Sequence, residues 1–238
     1  MATFVLVHGG WTGAHGWRAV RRLLAREGHD VFTPSLTGIG ERVHLSSPQV
    51  NLTTHVQDVV NQILFEDLSG IVLVGHSYGG AVITGAVMHV HDRIGELVFL
   101  DAFVPEDGDT VSGLGGRSAP RVFGLNEDWL VPPYPREYDD PAEAAWQTAR
   151  RVPHPMGCFV EPVRLAKPLE DYDFGLTYIR ATADAPDAPG SDGFRKAAEH
   201  ARVSDRWRHR EIATNHMVPS NRPQELAVML AGIAAEGS

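Results

Sequence analysis

The sequence predicts an α/β fold in which a parallel sheet is covered by helices on both faces. Three observations carry this. Apolar segments of strand length alternate with amphipathic segments of helix length, separated by glycine-rich turns. The strand segments are continuously apolar rather than alternating, as strands buried on both faces are. One of them, Gly70-Ile71-Val72-Leu73-Val74, runs straight into Gly75-His76-Ser77-Tyr78-Gly79 and then the helix-compatible Gly80-Ala81-Val82-Ile83. A serine at so sharp a strand-to-helix turn is lifted clear of the sheet, and glycines two before and two after it leave room for the neighbouring chain.

The elements follow in order. Phe4–Val7 is a buried-type strand, followed by the loop His8-Gly9-Gly10-Trp11-Thr12-Gly13. Trp17, Val20, Leu23 and Leu24 recur at helical spacing until Gly28, which suits the residue after a helix end. His29–Thr33 is a second strand, stopped by Pro34. Thr53 or Thr54 is the expected cap of a helix whose apolar face is Val56, Val59, Val60, Ile63 and Leu64. The serine strand is followed by a helix over roughly 78–90 and a strand Gly95–Leu100 ending at Asp101. After a break, a strand Leu176–Ala181, a helix near 193–202, a strand Arg210–Ala213 and a last helix with Leu226, Met229, Leu230 and Ile233 resume the rhythm. Strands joined by helices of this length pair in parallel through right-handed crossovers.

The break covers about 104–173. It is dense in proline and carries Trp129, Tyr134, Trp146 and Phe159, and only Ala142–Arg151 reads as helical. So apolar an insertion, after the strand ending at Asp101, is expected to fold over a site as a small helical cap. The 238 residues suit one large domain, 1–238, with this cap inserted. A net charge of −9 argues against a nucleic-acid surface, and Arg206–Arg210 reads as an exposed link between helix and strand. With Cys158 the only cysteine, no internal disulfide is available. Without an apolar run of membrane-spanning length or a leader-like start, the chain is expected to be cytoplasmic.

The candidate chemistry centres on Ser77. A serine hydroxyl needs a base to take its proton, a carboxylate to orient that base, and donors for the oxyanion that forms. His216 stands between the last strand and the last helix, where such a base belongs. Two carboxylates compete for the third position. Asp184 follows the strand Leu176–Ala181, ahead of Asp187 and Asp192 in the same loop, and Asp101 ends the strand before it. The backbone N–H groups of Gly10 and Tyr78 are the expected oxyanion donors, the second at a helix N-terminus. Trp11, His15, Asp101, Phe103 and Met217 are expected to line the substrate pocket. His89-Val90-His91 points its rings in different directions on a helix, and no metal site is expected.

His8–Trp17, Gly75–Gly80, Leu100–Pro105, Tyr178–Asp184 and His216-Met217 together resemble the esterase and hydroxynitrile lyase group of the α/β-hydrolases, which includes plant methyl esterases. The resemblance covers nearly the whole chain and is weakest in the cap. It implies about six core parallel strands, Ser77, Asp184 and His216 as the catalytic set, and Gly10 with Tyr78 at the oxyanion hole. The lyases of the group carry a threonine just after the loop histidine and a lysine just after the catalytic one. This chain has Gly9 and Met217 there, which favours the esterase branch.

The expectation is therefore a serine hydrolase that cleaves a small to medium carboxylic ester through an acyl-enzyme, without a cofactor. Alternatives are the same residues acting on an amide, lactone or carbamate, or in carbon–carbon cleavage, or a ligand receptor of this fold. The expected partner is a small-molecule ester, with neither nucleic acid nor membrane involved and a homodimer left open. A histidine base implies a kcat/KM that rises with pH through about 6–7.

Overall fold

The computed structural model describes residues 1–116, 129–184, 188 and 190–237. Asp187 and the stretch of the cap between 117 and 128 lie outside the described residues. Six parallel strands form the sheet: β1 (Thr3–Val7), β2 (Asp30–Phe32), β3 (Ile71–His76), β4 (Ile94–Leu100), β7 (Gly175–Ala181) and β8 (Trp207–Ile212), in the order β2-β1-β3-β4-β7-β8. The expected strand number and pairing are both met. The registers Val7↔Gly75, His76↔Leu100 and Leu100↔Ile179 bring the carboxyl ends of β1, β3, β4 and β7 to one edge. In parallel sheets that edge is where ligands gather.

Successive side chains of a strand face opposite sides, so each strand serves two cores. Val5, Val7, Leu73 and Phe99 pack with α2 (Leu52–Phe65), α3 (Gly79–Val90) and α7 (Ser191–Val203). Phe4, Leu6, Val72, Val74 and Val98 pack on the other face with Trp17, with Val20 and Leu24 of α1 (Arg18–Arg26), and with Leu226, Leu230 and Ile233 of α9 (Pro223–Glu236). The continuously apolar reading of the strands has this cause.

Three local expectations need correction. The cap of α2 is Asn51, whose side chain accepts from the N–H and hydroxyl of Thr54, while Thr54 in turn accepts from the Asn51 N–H. The arginine-rich Arg206–Arg210 is mostly strand, because Trp207 pairs beside Leu176 and the charges have partners. Arg208 pairs with the buried Glu96, and Arg210 reaches Glu236 at 3.2 Å. The cap is not wholly helical. It holds a short antiparallel ladder, β5 (Leu130–Val131) with β6 (His154–Pro155), beside α4 (Val111–Leu114), α5 (Pro141–Thr148) and α6 (Gly157–Val160).

The loop after β1 fastens this insertion to the sheet. The Trp11 indole donates to Val131 O at 2.9 Å, and Val152 N–H donates to Trp11 O at 3.1 Å. Arg18 lies over the ring of Trp146 at 3.6 Å and pairs with Glu143. Among the described residues no helix is long and apolar enough to cross a membrane.

Candidate active site

Ser77 sits in the left-handed region at φ 59°, a conformation in which a non-glycine residue is strained. Its neighbours explain how the strain is held. A Cβ on Gly75 would stand 2.6 Å from Gly79 O, and one on Gly79 would stand 2.8 Å from both Val7 O and His8 O. Only glycine at both positions lets the turn close this tightly. Ser77 N–H donates to Leu100 O at 3.2 Å, and Ser77 O accepts from Phe103 N–H at 3.2 Å, tying the turn to the end of β4.

The side chains then form a relay. Ser77 Oγ lies 2.8 Å from His216 Nε2, and His216 Nδ1 lies 2.7 Å from Asp101 Oδ2. A carboxylate accepts, so Nδ1 carries the proton and Nε2 is left to accept from the serine. His216 is buried, and burial pushes its pKa well below the usual histidine range, with the guanidinium of Arg136 adding to the shift. The imidazole is therefore neutral and ready to accept a proton at neutral pH.

The expectation that Asp184 orients His216 is corrected here. Asp184 Oδ1 accepts the backbone N–H of His216 at 2.9 Å, so it fixes the loop rather than the ring tautomer. Asp101 takes the ring because β4 lies directly beside β3, and because φ 41° at Asp101 turns its side chain back over the strand end. Asp101 is fully buried and also accepts from Arg180 and from Ala181 N–H at 3.2 Å. Burial raises its pKa, and the Arg180 guanidinium opposes that rise. Arg180 was missed in the sequence; its place as the penultimate residue of an otherwise largely buried strand was the available signal. Tyr178 was also missed. Its hydroxyl donates to Ala102 O at 3.0 Å and accepts from Ala102 N–H at 3.1 Å, bracing the residue after Asp101.

Three further histidines stay neutral around this centre. His8 donates from Nδ1 to Gly9 O at 2.9 Å and accepts Leu36 N–H on Nε2, and burial lowers its pKa to about 4. His76 donates from Nε2 to His216 O at 2.8 Å and is lowered to about 3 by burial. His55 donates to Thr37 O at 2.7 Å and accepts the Tyr78 hydroxyl at 2.9 Å, and burial lowers it to about 3.

A pocket of about 480 Å³, counting its open mouth, holds Ser77 and His216 together with Gly9, Gly10, Trp11, Met217, Arg136 and Arg151. Trp11 and Met217 stand where they were expected. Gly10 and Tyr78 keep backbone N–H groups that make no hydrogen bond among the described residues, whereas Trp11 N–H is taken by His154 Nδ1 at 3.2 Å. Three expected pocket residues are not in its lining. Asp101 is spent on His216 and Arg180. His15 lies outside, 3.4 Å from Glu41 and against Trp146. Phe103 packs on Phe194, with ring centroids 4.6 Å apart, and faces a separate groove.

Among the described residues two sets of side chains have metal-ligand chemistry, Asp101/Asp184/His216 and His55/His154/Cys158. In the first, Asp101 and His216 are committed to the relay and Asp184 to the His216 backbone N–H. In the second, both ring nitrogens of His55 are committed to protein partners, which leaves too few free lone pairs to hold an ion.

The comparisons with known proteins agree with this architecture. A family model described as "Alpha/beta hydrolase family" matches residues 4–228. A carbendazim hydrolyzing esterase of Nocardioides sp. (strain SG-4G) is 34% identical over 247 residues, covering 98% of this chain and 100% of that one. An extracellular alpha/beta-hydrolase from a Paenibacillus species superposes with a TM-score of 0.75 at 25% identity, covering 98% of this chain and 99% of that one. The methylesterase MES16 from Arabidopsis shares the fold, with a TM-score of 0.78 at 21% identity over 99% of this chain and 100% of that one. On a match that spans nearly all of its length, this chain belongs to the alpha/beta hydrolase family.

Proposed function

We propose that the protein is a single-domain serine esterase in which Ser77 is the nucleophile, His216 the general base and Asp101 the acid that orients it. The observation that carries this is the pair of hydrogen bonds Ser77–His216–Asp101, at 2.8 and 2.7 Å, opening on the pocket. Ser77 Oγ attacks the ester carbonyl as its proton passes to His216 Nε2. The carbonyl oxygen becomes an oxyanion that the N–H groups of Gly10 and Tyr78 receive. His216 then returns the proton to the leaving alkoxide, the C–O bond breaks, and an acyl-Ser77 remains. Water, deprotonated by the same nitrogen, releases the acid and restores the serine. Asp101 stays ionised throughout and stabilises the imidazolium.

The name of the Nocardioides relative, a carbendazim hydrolyzing esterase, supports hydrolysis by such a triad over carbon–carbon cleavage or a receptor role. The local packing supports the esterase branch over the lyase one. A Cβ on Gly9 would stand 2.9 Å from Ser77 Cβ, so a threonine does not fit there, and Met217 has no charge to hold a departing cyanide.

The test is covalent. A fluorophosphonate should label Ser77 in the intact protein, and Ser77→Ala should lose both labelling and turnover of para-nitrophenyl acetate while keeping its melting temperature. Labelling at another residue, or turnover that survives in the alanine variant, would refute the assignment.

A further inference from the structure

Charge is unevenly distributed on this molecule. The chain carries −9 overall, yet among the described residues the pocket above Ser77 is lined by two arginines, Arg136 and Arg151, and by no carboxylate. Neither guanidinium makes an ion pair with an acid among the described residues. Arg136 also makes no hydrogen bond there, and Arg151 meets only neutral oxygens, its NH2 donating to Tyr134 O at 3.1 Å with the Tyr138 hydroxyl next to it.

Half-buried guanidinium groups that pair with no carboxylate are costly, because the water they lose is not fully replaced. The cost is local and visible. Arg151 Nε and Tyr138 Oη are both buried without a hydrogen-bond partner among the described residues. The acids nearby are already committed. Asp101 is held by Arg180 and the His216 ring, and Asp184 by the His216 backbone. Among the described residues this leaves three guanidiniums around His216, Arg136, Arg151 and Arg180, against the two carboxylates Asp101 and Asp184. The surplus positive charge faces the space a substrate occupies.

We infer that Arg136 and Arg151 form an anion subsite beside Ser77, and that the substrates of this enzyme are small esters bearing a carboxylate in the same molecule. This rests on the esterase reading and deepens it. Guanidinium is suited to the task because its planar fork meets both oxygens of a carboxylate. Gln147 and Ser220, which line the same wall, add neutral polar groups to it.

The experiment compares matched esters, each corrected for its hydroxide-catalysed rate. On the acyl side the pair is para-nitrophenyl hemisuccinate and para-nitrophenyl butyrate; on the alcohol side it is para-acetoxybenzoate and para-acetoxybenzamide. The expected result is a kcat/KM preference for the anion of about tenfold or more in at least one pair, as a charged hydrogen bond confers. That preference should collapse toward one in the Arg136→Gln/Arg151→Gln double variant. The single variants, each checked for folding by circular dichroism, should give intermediate preferences and serve if the double variant does not fold. Preference for the neutral ester in both pairs, or an anion preference that persists in the variants, would overturn the subsite. Failure of the esterase reading looks different: none of the four esters would be turned over, or turnover would survive Ser77→Ala.

Discussion

Two neighbouring strands, β3 and β4, end in the same unusual way. Ser77 follows β3 at φ 59° and Asp101 follows β4 at φ 41°, both non-glycine residues in left-handed backbone. In each case the strain turns a polar side chain over the sheet edge toward His216. The two ends differ in how they are held. Glycines at 75 and 79 make room around Ser77, and the tightness of that turn requires them. Asp101 has no such glycines of its own. It is held by bonds from outside: its N–H donates to Ile179 O at 2.7 Å, Arg180 pairs with its carboxylate, and Tyr178 braces Ala102. Strain at a functional residue can thus be supported by the sequence around it or by a distant strand, and only the first leaves a local motif.

The largest break in this comparison is at the serine end. Ser77→Ala should lower kcat by about 10⁴–10⁶-fold with the fold intact, because removing a nucleophile leaves only binding and oxyanion donors. Steady-state kinetics beside a thermal melt checks both halves of the statement.

Gly80 joins the two ends, and changing it should damage both. A Cβ there would land on the carbonyl oxygen of Phe103 and stand 2.9 Å from Ala102 Cβ, pushing away the chain that follows Asp101. Gly80→Ala is expected to cost about 3 kcal/mol of stability, the upper range for overpacking a rigid site. Gly232→Ala is the contrast. It lies in α9 with nothing within 4 Å of its would-be Cβ, and should stabilise by about 0.5–1 kcal/mol through helix propensity. Urea unfolding of the two variants measures the difference.

A smaller effect sharpens the electrostatics between the strand ends. The groups facing His216 are Arg136, Arg151, Arg180, Asp101 and Asp184, with neutral His76 beside it. Burial first, and Arg136 next, lower its pKa well below the usual histidine range. A base must be unprotonated to act, so the acid limb of kcat/KM should lie below the pH 6–7 window that an unperturbed histidine implies. Arg136→Gln removes a positive neighbour and should shift that limb to higher pH. A limb that stays in place, in a variant whose melting is normal, would show that Arg136 does not act on the base.

What was legible in the sequence follows the same division. The parallel sheet, its six strands, the serine turn and the place of His216 were readable because each rests on local patterning: apolar runs, glycine spacing, position after the last strand. The acid was not. Asp184 and Asp101 both end strands, and the choice between them depends on strand order and on Arg180 and Tyr178, which approach from β7. The arginines of the pocket were unreadable for a related reason. Arg136 sits in the proline-rich insertion outside any periodic stretch and Arg151 at the end of its one helical stretch, and only the folded cap brings them over Ser77. His15 and Phe103 were misplaced because adjacency to a motif does not fix the direction of a side chain.

That the acid of the relay stands at the end of β4 is tested by kcat for two asparagine variants on one ester. Asp101→Asn keeps the shape but lets the amide stabilise the wrong imidazole tautomer, and should lower kcat by about 10⁴, as the equivalent change does in a protease triad. Asp184→Asn still offers an oxygen to the His216 N–H and should cost about tenfold or less. The reverse order, with Asp184→Asn the more damaging, would contradict the assignment and return the acid to the end of β7.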